Sequence, residues 1–241
     1  MCFLRTKQIV EPLFNGFVDY HCHILPGVDD GIRTFEDSLK VLSLYNTEGV
    51  RMVYLTPHIM EDVPNTIDAL NKRFGELKEY IREKGVSVPD LSLGAENMLD
   101  RLFEERLENG QLLTLGAKHL LVETSYYNPP YNMKELLFKI SAMGYLPILA
   151  HPERYCYMSS SSYRDLKELG IFFQMNLSSL LGFYGDTVKK KSEKLLSEGA
   201  YDFVGTDLHR VSLFDYCRKS RLSSKVYGQL KELLANNSLA L

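Results

Sequence analysis

The segment FVDYHCHILPGVDDG, residues 17–31, sets two histidines and three aspartates directly behind a short apolar run. Imidazole nitrogens and carboxylate oxygens gathered in one place suit zinc, manganese or iron, whereas calcium and magnesium use oxygen almost alone. The spacing of His21 and His23 fits that chemistry, because alternate residues of an extended segment point the same way and can grip one ion. Further along lie His58, Glu96, Glu123, His151, Asp207 and His209. A carboxylate or imidazole that ends a buried run needs a partner, and Glu123 in LLVETS and His151 in ILAHPER are such cases.

Elements must bring these side chains together. FVDY (17–20), MVYLT (52–56), LSLGA (91–95), LLVET (120–124), LPILA (146–150), FFQMN (172–176) and DFVGT (202–206) read as seven strands separated by helical patterns. Such alternation signals a parallel sheet with crossover helices. Several helical stretches, such as FEDSLKVLSLYNTEG and IDALNKRFGELKEYIREKG, end in glycine, and Thr34 is placed to cap the first. His21, His23, His58, Glu96, Glu123, His151, Asp207 and His209 all fall at or just past the C-terminal end of a strand. In a parallel barrel those ends converge on the face where active sites are built. One aspartate after a strand often only caps the next helix, but eight such residues on one face point to a metal site. His119 precedes its strand and is assigned a structural role at the opposite end.

With 241 residues, 45% of them hydrophobic, the chain can bury a sizeable core, and no low-complexity or Pro/Ser linker divides it, so a single domain over residues 1–241 is expected. A net charge of -3 leaves no general basic surface for nucleic acid; KKKSEK at 189–194 carries Glu193 in a helical pattern and reads as a solvated face. MCFLRTK meets a charge at Arg5 and has no signal-peptide core, and no apolar run approaches the roughly 20 residues of a membrane span. A soluble, cytoplasmic protein is expected, with oligomeric state open; FLRTKQIVEPLF is read as packing across the barrel bottom or meeting another subunit. The four cysteines lack CxxC spacing, which excludes a disulfide framework and a zinc ribbon. The HC of residues 21–22 also opens the signature of cysteine-dependent phosphatases. That loop needs an arginine six residues on, where Cys2, Cys22, Cys156 and Cys217 find Gln8, Val28, Ser162 and Ser223. Cys22 is therefore read as a small apolar residue on the barrel side of its strand.

In order, DYHCHILPGVDDG, TPHIM, LGAEN, LLVETS, LAHPERY and GTDLH resemble the motifs of the PHP (polymerase and histidinol phosphatase) superfamily, specifically its CpsB/CapC-like tyrosine phosphatases of capsule and exopolysaccharide biosynthesis. The match runs from about Asp19 to His209. The resemblance implies a distorted (β/α)7 TIM-like barrel of the PHP type, in line with the independent count of seven strands. It implies up to three metal ions, manganese foremost, with iron or zinc as alternatives. On it, His21, His23, Glu96 and Asp207 hold one ion, Glu96, Glu123 and His151 a second, and Asp30, His58 and His209 a third. Asp30 enters through the resemblance alone, and Asp19 is a supporting or strand-end residue. Phosphate-binding arginines are also implied: Arg154 in HPERY matches, and of Arg210, Arg218 and Arg221 the second is assigned to Arg210. The loop IMEDVPNT after His58 is acidic where some relatives are basic.

The activity this implies is metal-dependent hydrolysis of phosphotyrosine in the C-terminal tail of a bacterial polysaccharide-export tyrosine kinase. On the same resemblance the metals would supply the attacking hydroxide, Arg154 would take up charge on the non-bridging oxygens, and a metal or His209 would stabilise the leaving phenol. The loop TSYYNPPY after Glu123 either flanks the phenol ring or packs its tyrosines on the barrel rim. Two rival readings keep the metal site: a phosphoesterase for a small metabolite such as histidinol phosphate, and a non-catalytic metal-bearing adaptor that docks on a kinase. A nuclease is disfavoured by the acidic composition.

Overall fold

A computed structural model describes residues 7–237; Cys2 and the start of the N-terminal FLRTK stretch lie outside them. Its strands are β1 (Lys7–Ile9), β2 (Val18–Cys22), β3 (Met52–Leu55), β4 (His58–Ile59), β5 (Asp90–Leu93), β6 (Glu96–Met98), β7 (His119–Glu123), β8 (Leu146–Ala150), β9 (Phe172–Asn176), β10 (Phe203–Gly205) and β11 (Arg221–Ser223). All seven expected strands are present, and β2 to β10 pair in parallel as two sheets, β2-β3-β5 and β10-β9-β8-β7-β6-β4.

β3 and β4 are parts of one run broken at Thr56–Pro57, where proline has no N–H to give the ladder. β5 and β6 are broken likewise at Gly94–Ala95. Pairing crosses both gaps, since the Gly94 N–H donates to Leu55 O (2.9 Å) and the Glu96 N–H to Pro57 O (3.1 Å). The outer strands are also tied: the Asp207 N–H donates to His21 O (2.7 Å) and the His23 N–H to Leu208 O (3.0 Å). The result is an α/β fold with a curled parallel sheet.

The curl separates two apolar layers, as the period-two alternation of strand side chains requires. Val18, Tyr20, Tyr54, Leu121, Ile148 and Phe203 pack together inside it. Val53, Leu55, Val122, Leu149, Phe173 and Val204 face outward and join helix residues such as Leu42, Leu70 and Leu137 in a larger cluster. β2 breaks the alternation with a bulge of one extra residue between Asp19 and Cys22. Val18, Tyr20, His21 and His23 thereby face the interior, while Asp19 and Cys22 face the helices. Asp19 accepts hydrogen bonds from Thr206 N (2.8 Å), Thr206 Oγ1 (2.6 Å) and the Tyr45 hydroxyl (2.9 Å), bracing β2 to the end of β10. Cys22 is fully buried in the helix-facing cluster, its Sγ–H donating to Tyr54 O (3.3 Å), so the bulge puts it on the side opposite to the one expected. Burial pushes its thiol well above the usual range, which leaves no reactive thiolate.

Helices Phe35–Thr47, Ile67–Lys84, Phe103–Glu108, Met133–Ala142, Ser160–Glu168, Asp186–Ser197 and Ser224–Asn237 follow the expected patterns, and the Thr34 hydroxyl caps the first by accepting from Asp37 N (3.1 Å). Helices Leu177–Leu181 and Val211–Lys219 and the antiparallel β1–β11 pair are additional to those expectations. Within the N-terminal stretch, Phe14 is buried with its ring edge-on to Phe17 (5.6 Å) and Phe214 (5.0 Å). No helix among the described residues is long and apolar enough to cross a membrane.

Candidate metal centre

The bulge in β2 aims both histidines at the interior, and a neighbouring amide or carboxylate fixes each ring. Gln174 donates its amide N–H to Met175 O (2.6 Å), which leaves Oε1 facing His21 Nδ1 at 2.8 Å. His21 therefore carries its hydrogen on Nδ1 and turns Nε2 inward. His23 Nδ1 lies 2.8 Å from Asp29 Oδ2, with the same consequence for its Nε2. The two inward nitrogens are 3.1 Å apart. Glu96 Oε2 is 3.2 Å and Asp207 Oδ1 3.6 Å from His21 Nε2. Glycines admit this crowding: a Cβ on Gly205 would lie 2.4 Å from His21 Cβ, and one on Gly31 2.2 Å from His23 O.

Around this pair the other strand ends converge. His58 Nδ1 approaches Glu96 Oε2 (3.1 Å) and Glu123 Oε1 (3.0 Å), while His151 Nε2 meets Glu96 Oε1 (2.9 Å). Asp30 Oδ1 lies 3.3 Å from His209 Nε2 and 3.5 Å from His58 Nε2, and the His209 ring stacks on His23 at 4.0 Å. Three groups have ligand atoms all within 4.8 Å of one another: His21, His23 and Glu96; His58, Glu96 and Glu123; and His23, Asp30, His58 and His209. Asp207 borders the first and His151 the second. The first two groups are buried, whereas the Asp30 side chain is 72% exposed.

Burial opposes charge on His21, yet Glu96 and Asp207 outweigh it and raise the imidazole to about 9. Against the same burial penalty, the facing histidines hold Glu96 and Asp207 below the usual carboxylate range. The groups still do not satisfy one another. His58 Nδ1 and Glu123 Oε1 make no hydrogen bond despite their 3.0 Å approach, and His151 Nδ1 makes none either. Buried imidazole nitrogens and carboxylate oxygens crowded within 4.8 Å of one another fit a cation of the zinc, manganese or iron kind. His151 (φ 33°) and Asp207 (φ 51°) are the only non-glycine residues of positive φ among those described, and both belong to the cluster. Left-handed backbone at such residues costs on the order of 1–3 kcal/mol and is concentrated where side chains are aimed for function.

Arg154 ends a short turn, Pro152–Arg154, and donates from Nη1 to Asp207 Oδ2 (2.7 Å), to which Asn176 Nδ2 also donates (2.6 Å). Its neighbour Glu153 anchors the turn from the other side, accepting from Asn176 N (3.0 Å) and the Tyr201 hydroxyl (3.0 Å). Arg210 is exposed at the start of helix Val211–Lys219, with no polar contact to the cluster among the described residues. Arg218 pairs with Asp215 (2.8 Å) and Glu48 (2.9 Å), and Arg221 reaches Lys7 O (3.4 Å). Tyr126 lies over Arg154, 5.8 Å from the His151 ring, while Tyr127 is 75% exposed. His119 opens β7 at the opposite end, half-buried and edge-on to Phe172 and Phe203, both at 5.6 Å.

Asp29, Gln174 and Asn176 are absent from the sequence-derived set. FFQMN did carry a signal, since Gln174 and Asn176 alternate toward the strand end as the ligands do.

CapC of Staphylococcus aureus is 28% identical over 236 residues, spanning 93% of this chain and 91% of that protein. The tyrosine-protein phosphatase YwqE of Bacillus subtilis is 29% identical over 235 residues, spanning 92% and 89%. A crystal structure from work on YwqE of Bacillus subtilis and CpsB of Streptococcus pneumoniae, described as metal-dependent tyrosine phosphatases, superposes with a TM-score of 0.75 at 26% identity and covers 93% of this chain and 96% of that one. The family profile for capsular polysaccharide synthesis, CpsB/CapC, matches residues 17–228, a span that takes in every residue of the cluster, and the chain belongs to that family.

Proposed function

We propose that this chain is a metal-dependent protein-tyrosine phosphatase that acts in the cytoplasm on phosphotyrosine of a bacterial polysaccharide-biosynthesis tyrosine kinase. The observation that carries the reading is the convergence of five histidines, His21, His23, His58, His151 and His209, with Asp30, Glu96, Glu123 and Asp207 around one space, and an arginine beside it. Likeness to YwqE across most of both chains supports it. On this reading the chain is a single PHP-type domain. Its fold is a distorted (β/α)7 barrel in which β3–β4 and β5–β6 each count as one interrupted strand.

His21, His23, Glu96 and Asp207 would hold one ion, Glu96, Glu123 and His151 a second, and Asp30, His58 and His209 a third. Manganese is the proposed metal, and the donors also suit iron or zinc. Such cations, when bound, supply water of lowered pKa and neutralise phosphoryl charge. The chain does the rest. Gln174 and Asn176 hold His21 and Asp207 in place, and Asp29 holds His23. Arg154 binds a non-bridging phosphate oxygen and stabilises its charge as the ester bond lengthens. The leaving phenol would be stabilised by His209, whose side chain is 22% exposed at the mouth, or by a bound cation. A phenol, with a pKa near 10, makes little demand on a general acid. Tyr126 flanks the phenol ring, and Arg210 is the second phosphate ligand, since Arg218 and Arg221 are engaged elsewhere.

The test is phosphate release by metal-stripped protein, with and without added Mn²⁺, from a phosphotyrosine peptide and from histidinol phosphate, with His151→Ala as control. Metal-dependent release from the peptide, lost in the variant, is expected. Release from histidinol phosphate alone would replace the substrate, and silence on both would favour the adaptor.

A further inference from the structure

The central carbon of the Arg154 guanidinium lies over two tyrosine rings, 4.3 Å from the centroid of Tyr126 and 4.2 Å from that of Tyr184. Tyr126 comes from the loop after β7, and Tyr184 from the turn after helix Leu177–Leu181, so two separate parts of the chain close on one side chain. That turn depends on glycine: Gly182 (φ 92°) and Gly185 (φ 88°) both take left-handed backbone and bracket Phe183 and Tyr184. The two aromatic residues diverge there. Phe183 is 45% exposed, while Tyr184 turns in and is partly buried. The Phe183 ring stands edge-on to Tyr184 (5.2 Å) and to Tyr216 of helix Val211–Lys219 (5.4 Å), an arrangement that supports the Tyr184 ring against Arg154.

At one edge the guanidinium is tethered by the Nη1 bond to Asp207 Oδ2. A guanidinium packed against two rings and tied at one edge keeps its remaining N–H donors in its plane, and in-plane paired N–H···O bonds are how arginine takes phosphate. We propose that Tyr184 is a positioning residue for Arg154: with Tyr126 it forms an aromatic slot that fixes the guanidinium plane so that the free edge meets the substrate phosphate. This rests on the phosphatase reading and deepens it. The ring face carries the effect, and the phenolic hydroxyl, hydrogen-bonded to Asn176 and Ser178, steadies the ring from its far end. An arginine without the slot keeps its charge but samples orientations that waste its fork.

The test is calorimetric titration of inorganic phosphate into Mn²⁺-loaded protein, alongside turnover of a phosphotyrosine peptide. The variants are Tyr184→Phe, Tyr184→Leu, Arg154→Lys and the Tyr184→Leu/Arg154→Lys pair. Tyr184→Phe, which keeps the ring and loses the hydroxyl bonds to Asn176 and Ser178, is expected to weaken phosphate binding by clearly less than Tyr184→Leu does. Tyr184→Leu is expected to weaken it roughly tenfold, within the range of a cation–π contact partly shielded from water, and to raise KM by a similar factor with manganese content unchanged. In the Arg154→Lys background it should add nothing. Additive losses in the double variant, equal losses in the phenylalanine and leucine variants, or an unchanged affinity in Tyr184→Leu would each overturn the proposal. Tyr184→Met serves if the leucine variant does not fold. Should wild-type protein bind phosphate yet release none from the peptide, the phosphatase reading fails while the titrations still decide the slot.

Discussion

On β7 the inner face carries His119 and Leu121 toward one end and Glu123 at the other; on β8 it carries Ile148 and Ala150, and then His151 just past the strand. Leu121, Ile148 and Ala150 are as deeply buried as Glu123 and His151. The two ends differ in whether the buried groups complete one another. Tyr20 stacks on Tyr54 at 5.5 Å and meets Phe203 edge-on at 5.0 Å within an apolar plug. At the opposite end, His58 Nδ1 and Glu123 Oε1 stand 3.0 Å apart without a bond, in a buried crowd of imidazoles and carboxylates. Burial alone therefore does not mark a functional end of a curled sheet. A buried crowd of imidazoles and carboxylates does, because such groups are gathered where another charge is to enter.

Substitutions at the two ends should separate these properties. The largest effect belongs to His151→Ala, expected to lower kcat on a phosphotyrosine peptide by on the order of 10³-fold. Its metal-free melting temperature should stay close to wild type, and a large fall there would make the site end a folding element like the plug. Phe203→Ala should do the reverse, costing about 3–5 kcal/mol of stability and roughly 10 °C of melting temperature while the folded fraction keeps its turnover. Asp29→Asn comes next: loss of the carboxylate behind His23 should weaken Mn²⁺ binding roughly 10–100-fold in a competition titration, and unchanged affinity would remove Asp29 from the site. The smallest effect is expected from Cys22→Ser, which should retain phosphate release, because Cys22 faces the helix layer. Abolished activity in that variant would revive the cysteine as a participant.

The plug and the cluster were unequally legible in the sequence. Short apolar runs flanked by glycine-terminated helical patterns were enough to locate β2, β3, β5, β7, β8, β9 and β10, because a parallel strand buried on both faces reads as such a run. The ligand types were legible because charged residues at strand ends are conspicuous. Which of the adjacent Asp29 and Asp30 stands behind a histidine was not, since a loop position carries no period. Helix Leu177–Leu181 is too short to show one. Val211, Leu213, Phe214 and Cys217 do show helical spacing, but over a run of only 9 residues that ends in Arg218 and Lys219. Tyr184 was hidden for a different reason: its role depends on two glycines that fold a turn and on an arginine distant in sequence, neither of which leaves a local pattern.

The bulge in β2 can be restated as a change of phase. Before Asp19 the strand shows its even-numbered residues to the interior, and after Tyr20 it shows its odd-numbered ones, so a single inserted position lets one strand serve plug and cluster alike. Strict alternation through all of residues 18–23, without the bulge, would send both histidines to the helix layer, with Cys22 in their place inside. The metal-binding character of the strand thus resides in its phase as much as in its composition.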